Sequence, residues 1–121
     1  MSTMKQLVVP LVNRTNYSKV KPIISLLKDK VNLKIITSSS IGLKRYGNAK
    51  DDIIKDGFTI FKNIECLLSN DSLEAMVKTI ALSMVEHSSI FSDLNSSAAV
   101  LSVGDRFDML PVVLSAFMMN I

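Results

Sequence analysis

Short apolar runs alternate with helix-type segments along the chain, and this alternation constrains its fold more than any other feature. Four runs are rich in apolar residues and have the length of buried strands, at residues 6–12, 33–37, 58–61 and 98–103. A segment of helical character follows each run, at residues 20–30, 49–56, 71–93 and 107–119. This order predicts an α/β fold, in which helices cover both faces of a mostly parallel sheet.

The helical segments also carry signals for their ends and their buried faces. Pro22 fits only a first helical turn, so we expect the main first helix to begin near it. Asp71 and Glu74 have the spacing of a capping box, which predicts an acidic N-cap for the third helix. We expect the last helix to be buried because it is almost wholly apolar, and the third to bury its apolar stripe at positions 73, 76, 77, 80, 81, 84 and 85.

Length and composition favour one globular domain over residues 1–121. The chain has 121 residues, of which 48% are hydrophobic, with no internal repeat or linker. No secretion signal is visible, and the longest apolar run has about half the roughly 20 residues that a membrane-spanning helix needs. Cys66 and His87 each occur once, which excludes an internal disulfide and a His/Cys metal cluster. We expect a cytoplasmic protein with no membrane partner, no metal and a helix-surface or capping role for His87.

Charge is distributed unevenly between the two halves of the chain. Residues 1–50 contain ten Lys or Arg and one acid, whereas residues 51–121 contain four basic and ten acidic residues. A basic first half could serve a phosphate-bearing ligand or a nucleic acid, but charge alone favours a solvated helix face.

Two polar loops follow predicted strands, where parallel α/β sheets bind their ligands. In the first, residues 13–18, Arg14 offers a forked cation and Ser18 a hydroxyl beside a helix N-terminus. In the second, Gly104 permits a sharp turn, and Asp105 and Arg106 place a carboxylate and a cation at the same edge. Two simpler interpretations stay open: Asp105 as the cap of the last helix, and Arg106 as a partner of Asp108.

Several segments resemble, in order and spacing, the hydrolysing UDP-N-acetylglucosamine 2-epimerases that begin sialic acid synthesis. The most specific is Gly-Asp-Arg-Phe-Asp-Met-Leu at residues 104–110 with Met-Asn-Ile at 119–121. The others are Asn-Arg-x-Asn-Tyr-Ser-Lys-x-Lys-Pro-Ile at 13–23, Tyr-Gly-Asn at 46–48, Ile-x-Lys-Asp-Gly-Phe at 53–58 and Leu-Glu-Ala-Met at 73–76.

This resemblance implies a fold, a substrate and roles for residues. The fold would be the N-terminal Rossmann-like half of a two-domain, glycosyltransferase-B-like enzyme. The reaction would convert UDP-N-acetylglucosamine and water to UDP and N-acetylmannosamine, inverting C2 by elimination and addition, without a cofactor. Arg14, Ser18 and Arg106 would bind UDP, and Asp105 would be the catalytic carboxylate.

The chain departs from the family pattern at several sites, including residues 11–12, 16, 38–41 and the segment before Gly104, and covers only part of it. Asn16 stands where the family usually has an acid, and residues 38–41 lack the usual His. The family's catalytic His and UDP-gripping C-terminal half have no counterpart here, so we expect no activity from this chain alone. The alternative is a non-catalytic α/β module that binds protein or nucleic acid through its basic first 50 residues. An open sheet edge and the apolar last helix also predict a homo-oligomer.

Overall fold

Strands and helices alternate throughout the computed structural model, which describes residues 4–42, 47, 49–66, 72–94 and 98–121. The strands are β1 Gln6–Leu11, β2 Asn32–Thr37, β3 Ile60–Asn63 and β4 Ala99–Val100. The α-helices are α1 Arg14–Leu27, α2 Ala49–Lys55, α3 Leu73–Ser92 and α4 Leu110–Met118, and a 3-10 helix spans Ser39–Gly42. The predicted alternation is confirmed, with β4 shorter than the expected run of residues 98–103.

The described strands form one parallel sheet in the order β3-β2-β1-β4. β1 pairs with β2 from Gln6↔Asn32 to Leu11↔Thr37, and with β4 at Leu7↔Ala99 and Val8↔Val100. The chain therefore moves outward from β1 through β2 to β3, and then returns to the other side of β1. This reversal makes the gap between β1 and β4 a topological switch point, where the loops after both strands leave the sheet side by side.

Pro10 lies in the central strand β1. Proline is a poor fit for a central strand because it has no N–H to donate to a neighbouring strand. The carbonyl of Val8 accepts from the Leu101 amide on the β4 side, and Pro10, two residues on, faces the same way. Pairing between β1 and β4 ends at Val8, so Pro10 lies past the last hydrogen bond between these strands, and its missing N–H leaves no partner unsatisfied there. A central strand tolerates this proline because β4 is short.

Alternate side chains of β1 pack into two hydrophobic cores, one on each face of the sheet. Val9 and Leu11 pack with the buried residues of α1 and α2, including Ile24 and Ile53. Val8 packs in the opposite direction, with residues of α3 and α4 such as Phe91. Burial of each such side chain stabilises the fold by roughly 1.5–3 kcal/mol. The predicted three-layer arrangement is therefore present.

Two helix starts differ from the sequence predictions. α1 begins at Arg14 rather than near Pro22, because Asn13 caps it by accepting a hydrogen bond from the Asn16 amide. Pro22 then lies inside an unbroken helix. The N-cap of α3 is Ser72, whose hydroxyl accepts from the Ala75 amide at 3.1 Å. The predicted cap, Asp71, lies outside the described residues.

The predicted buried faces of the last two helices are wrong. α3 turns small and polar side chains inward, in a row spaced by four that runs Ala75, Thr79, Ser83, His87 and Phe91. Small residues on that row let the helix lie close to its neighbours. Of the predicted stripe, positions 76, 80 and 84 are only half-buried and positions 73, 77, 81 and 85 are exposed. In α4 only Pro111, Val112, Ser115 and Ala116 are buried. His87, expected at a helix surface or cap, is fully buried.

Candidate functional site

A cavity of about 300 Å³ lies at the switch point between β1 and β4. The loop after β1 and the first turns of α1 form one wall, and the loop after β4 forms the other. Among its lining residues are three cations, Arg14, Lys19 and Arg106, and two carboxylates, Asp105 and Asp108. The described topology thus brings together two polar loops that are about ninety residues apart in the sequence.

The N-terminus of α1 faces this cavity through Asn13, Arg14, Thr15 and Asn16. The first turn contains no acidic residue. Because the first amides of a helix lack intrahelical acceptors and carry the positive end of its dipole, this wall suits an anion. Phosphate groups are among the anions that helix N-termini bind in this way.

Asn16 fixes the distance between the two walls. Its side-chain oxygen accepts from the Val12 amide at 3.0 Å, and its side-chain nitrogen donates to the Val103 carbonyl. The residue is 3% exposed, so both bonds are shielded from water. Sequence reasoning identified Asn16 only as a departure from the family pattern and missed this positioning role.

The loop after β4 presents Asp105 and Arg106 at the cavity, and both residues are exposed. Gly104 takes φ +156°, a backbone conformation that residues with a side chain rarely adopt. α4 begins at Leu110 with Met109 as its N-cap and no side-chain cap bond. The interpretation of Asp105 as a helix cap is therefore wrong, while the pairing of Arg106 with Asp108 is present at 3.7 Å.

Asp108 is a second, buried carboxylate of the cavity wall. It is 2% exposed, and its Oδ2 accepts from the Ser39 hydroxyl at 2.9 Å. Oδ1 is buried and has no hydrogen-bond partner among the described residues. Asp108 thereby joins the loop after β2 to the loop after β4 and places a negative charge behind Arg106. The sequence offered Asp108 only as a possible partner of Arg106.

Gly47 makes room for the Arg14 guanidinium. Gly47 has φ +99°, and a Cβ placed on it would lie 2.9 Å from Cζ of Arg14 and still closer to one of its nitrogens. A side chain at residue 47 would therefore displace the guanidinium. The two neighbours of Gly47 in the Tyr46–Asn48 motif lie outside the described residues.

Three of the four predicted site residues line the same cavity, namely Arg14, Asp105 and Arg106. Ser18 does not line it: its exposed hydroxyl donates to the Thr15 carbonyl at 2.9 Å. Lys19 lines the cavity and was missed, although it lies four residues after Thr15 and hence on the same helix face. Ser18 therefore lies beside the cavity wall formed by α1, and Lys19 is the residue that lines the cavity in its place.

The described parts of the chain contain neither a metal-binding cluster nor a membrane-spanning helix. No group of three or more His, Cys, Asp or Glu within the described ranges is arranged to hold a metal ion. No helix there has both the length and the apolar character needed to cross a bilayer.

Comparison with known proteins gives two informative relatives. The chain is 24% identical over 120 residues to polysialic acid biosynthesis protein P7 of Escherichia coli, covering 98% of this chain and 30% of that protein. It is 32% identical over 91 residues to GDP/UDP-N,N'-diacetylbacillosamine 2-epimerase (hydrolyzing) of Campylobacter jejuni, covering 75% of this chain and 23% of that protein. No protein-family model matches the chain.

These similarities confirm the resemblance to hydrolysing sugar-nucleotide 2-epimerases that the sequence motifs indicated. They extend over most of this chain, yet the chain spans less than a third of the length of either relative.

Proposed function

We propose, from the similarity to hydrolysing 2-epimerases, that this chain is the N-terminal nucleotide-sugar-binding half of such an enzyme. The observation that carries the proposal is the shared cavity, which brings Arg14 and Arg106 to the N-terminus of α1 at the switch point of the sheet. Two guanidinium groups and free helix amides match the oxygens of a diphosphate. The ligand we assign is UDP-N-acetylglucosamine, or UDP itself.

The cavity volume limits how much of this ligand the chain holds. Sites for drug-sized ligands measure roughly 300–1,000 Å³, and this cavity lies at the lower end. We assign it the diphosphate and the adjoining sugar ring. The uridine would be gripped by the second half of a complete enzyme.

Asp105 is the catalytic carboxylate of the proposed reaction. In that reaction UDP leaves C1 as the C2 proton is removed, and water then adds with inversion at C2. An exposed carboxylate on the cavity wall can accept a proton or orient a hydroxyl while Arg14 and Arg106 stabilise the departing diphosphate. No metal or redox cofactor is assigned, because the step needs only proton transfer and charge stabilisation.

The isolated chain is proposed to bind the nucleotide sugar without catalysing its conversion. Transition-state stabilisation needs groups placed around the sugar from several sides. The described cavity wall supplies one such side, and its lining contains no histidine and no carboxylate other than Asp105 and Asp108. We propose that a second half, in the same or another polypeptide, completes the site.

Isothermal titration with UDP and UDP-N-acetylglucosamine tests this function. We expect binding to the wild-type chain, its loss in Arg14→Ala with Arg106→Ala, and its retention in Lys78→Ala, which removes an exposed cation of α3 outside the cavity. A turnover assay should show no product above background. Absence of binding heat at millimolar-scale ligand, the weak end of ordinary affinities, would contradict the proposal.

The alternative of a nucleic-acid-binding module is less well supported. Several cations of the basic first half have partners within the chain: Lys21 pairs with Asp56 at 3.0 Å, and Lys34 lies 4.4 Å from the Phe61 ring centroid. A gel shift with steep salt dependence would favour this alternative over the nucleotide-sugar site.

A further inference from the structure

The backbone of Ser39 takes a conformation that is unfavourable for a residue with a side chain. Its φ is +57°, in the left-handed region that residues other than glycine, asparagine and aspartate rarely enter. Among the described residues the other such case is Asn120, a residue type that tolerates this region. Ser39 is buried, so the strain lies inside the protein. Strained residues of this kind persist where their surroundings fix them, and they concentrate at functional sites.

The loop that contains Ser39 is tied to the end of β1 on both sides of this residue. Before it, the Ser38 amide donates to the Leu11 carbonyl at 3.0 Å. After it, the Ser40 hydroxyl donates to the Val12 carbonyl at 3.1 Å. Val12 and Ser40 line the cavity between β1 and β4. A relaxed Ser39 backbone would therefore disturb contacts that hold the cavity wall.

The hydroxyl of Ser39 and the guanidinium of Arg106 share one carboxylate oxygen. Ser39 Oγ donates to Oδ2 of Asp108 at 2.9 Å, and Nη2 of Arg106 lies 3.7 Å from the same oxygen. A charge-assisted N–H···O bond is about 2.7–2.9 Å long, so Arg106 lies near the carboxylate without a hydrogen bond to it. Asp108 is buried whereas the Arg106 side chain is 56% exposed, so the guanidinium is the partner that can move.

We propose that Ser39 is a positioning residue of the nucleotide-sugar site, an inference that rests on the function proposed above. Its hydroxyl occupies Oδ2 of Asp108 and keeps Arg106 from pairing fully with that carboxylate, so the guanidinium stays available for the diphosphate. Without the hydroxyl, the buried Oδ2 would need another donor. Oδ1 already has no partner among the described residues, and Arg106 is the cation placed to replace the hydroxyl.

This role gives Ser39 and Asp108 opposite effects on the ligand. The Asp108 carboxylate repels a bound diphosphate and competes with it for Arg106, so loss of its charge favours binding. The Ser39 hydroxyl reduces that competition, so loss of the hydroxyl disfavours binding as long as the carboxylate is present. A side chain that only supported the fold would not make its effect on affinity depend on the charge of Asp108.

Two variants of Ser39 separate the hydroxyl from the backbone strain. Ser39→Gly removes the hydroxyl and suits the backbone, because glycine adopts positive φ readily; Ser39→Ala removes the hydroxyl and keeps the strain. We expect titration calorimetry to show a dissociation constant for UDP raised about tenfold in both, the effect of one hydrogen bond to a charged group. Circular dichroism verifies that each variant is folded.

Ser38→Ala is the matched control for the loss of a buried hydroxyl. Ser38 is the sequence neighbour of Ser39 and is equally buried, but its hydroxyl has no partner in the described structure. It does not line the cavity. The affinity of Ser38→Ala for UDP should equal that of the wild type.

The Asp108→Asn background tests whether Ser39 acts through the carboxylate. Ser39→Gly should change the affinity of Asp108→Asn by less than about twofold, the usual scatter between independent sites. An equal loss of affinity in both backgrounds overturns the proposal, because the hydroxyl would then act without the carboxylate charge. Wild-type affinity in Ser39→Gly overturns it as well.

NMR of the Arg106 guanidinium tests Ser39 without any ligand. The chain has three arginines, so the guanidinium signals are few enough to assign. The Arg106 guanidinium protons should exchange with water several-fold more slowly in Ser39→Gly than in wild type or Ser38→Ala, because they become hydrogen-bonded to Asp108. Unchanged exchange in folded Ser39→Gly overturns the proposal whether or not UDP binds. Slowed exchange in a chain whose wild type binds no UDP would support the action of Ser39 on Arg106 and contradict the proposed function alone.

Discussion

The side chain of Asn16 donates a hydrogen bond to the carbonyl of Val103, across 87 residues of sequence. This bond, with the one that Asn16 accepts from Val12, sets the two walls of the cavity relative to each other. The geometry of the site therefore depends on a residue that contributes no charge to it.

Replacement of Asn16 by Asp should destabilise the fold and loosen the cavity. Asp keeps the acceptor for Val12 but loses the donor, and it turns a buried carboxylate toward the Val103 carbonyl. Leaving such a group unsatisfied costs roughly 1–3 kcal/mol, which urea denaturation would measure. Asn32→Asp makes the same change at an exposed position and should have little effect. Equal stability of the two variants would contradict the positioning role.

Gly47→Ala should weaken UDP binding through Arg14. Ala at φ +99° costs roughly 1–2 kcal/mol of stability, and its Cβ would also displace the Arg14 guanidinium. Gly57→Ala is the matched control, because Gly57 has φ +92° with no atom within 4 Å of an added Cβ. Both variants should lose similar stability, while only Gly47→Ala loses affinity in titration calorimetry. Unchanged affinity in Gly47→Ala would show that Arg14 does not hold the ligand.

Asp108→Asn should strengthen binding of UDP. The buried Asp108 carboxylate competes with a diphosphate for Arg106, from which it is separated by 3.7 Å. Removing that charge at nearly constant volume should improve affinity at least several-fold, because two charges about 4 Å apart interact by roughly 1 kcal/mol even in bulk water. Asp93→Asn is the control: Asp93 does not line the cavity, so this variant should leave the affinity for UDP unchanged. Weaker binding in Asp108→Asn would instead mean that the carboxylate is needed to orient Arg106.

Stability should fall as the pH drops below about 6.5, the ordinary pKa of histidine. Nδ1 of His87 donates to the Ser83 carbonyl at 2.8 Å, and Nε2 has no partner in the described structure. Burial lowers the pKa of His87, so the unfolded chain takes up a proton before the folded chain does. The resulting loss, at most about 1.4 kcal/mol per pH unit, should be measurable by denaturation between pH 5 and 7.

His87 is the single histidine of the chain, so His87→Gln should flatten this pH dependence. A wild-type stability that stays constant between pH 5 and 7 would contradict the burial of a neutral imidazole.

Much of the fold could be predicted from sequence because its strands and its polar loops have strong local signals. β1 and β2 are short segments rich in β-branched and apolar residues. The loops at Arg14 and Arg106 follow strands whose carboxyl ends lie at the same edge of the sheet. What stayed hidden depends on tertiary contact. Asn16 and Asp108 acquire their roles only when distant loops come into contact, and the periodicity of the sequence does not predict such contacts.

The inward faces of α3 and α4 show the same limit in another form. Periodicity identified the apolar side of α3, and the rule that this side faces the core then failed. Thr79, Ser83 and His87 face inward because small or locally bonded side chains fit a close approach of the helix. Hydropathy could not distinguish the face that packs on the sheet from the face that stays exposed.

A titration of the isotopically labelled chain with UDP, followed by amide chemical shifts, tests the central claim most directly. The account predicts saturable shifts at Thr15, Gly104 and Arg106, on the two walls of the cavity, and none at Leu26 on the outer side of α1. Shifts confined to other surfaces, or none at a saturating concentration of UDP, would contradict it.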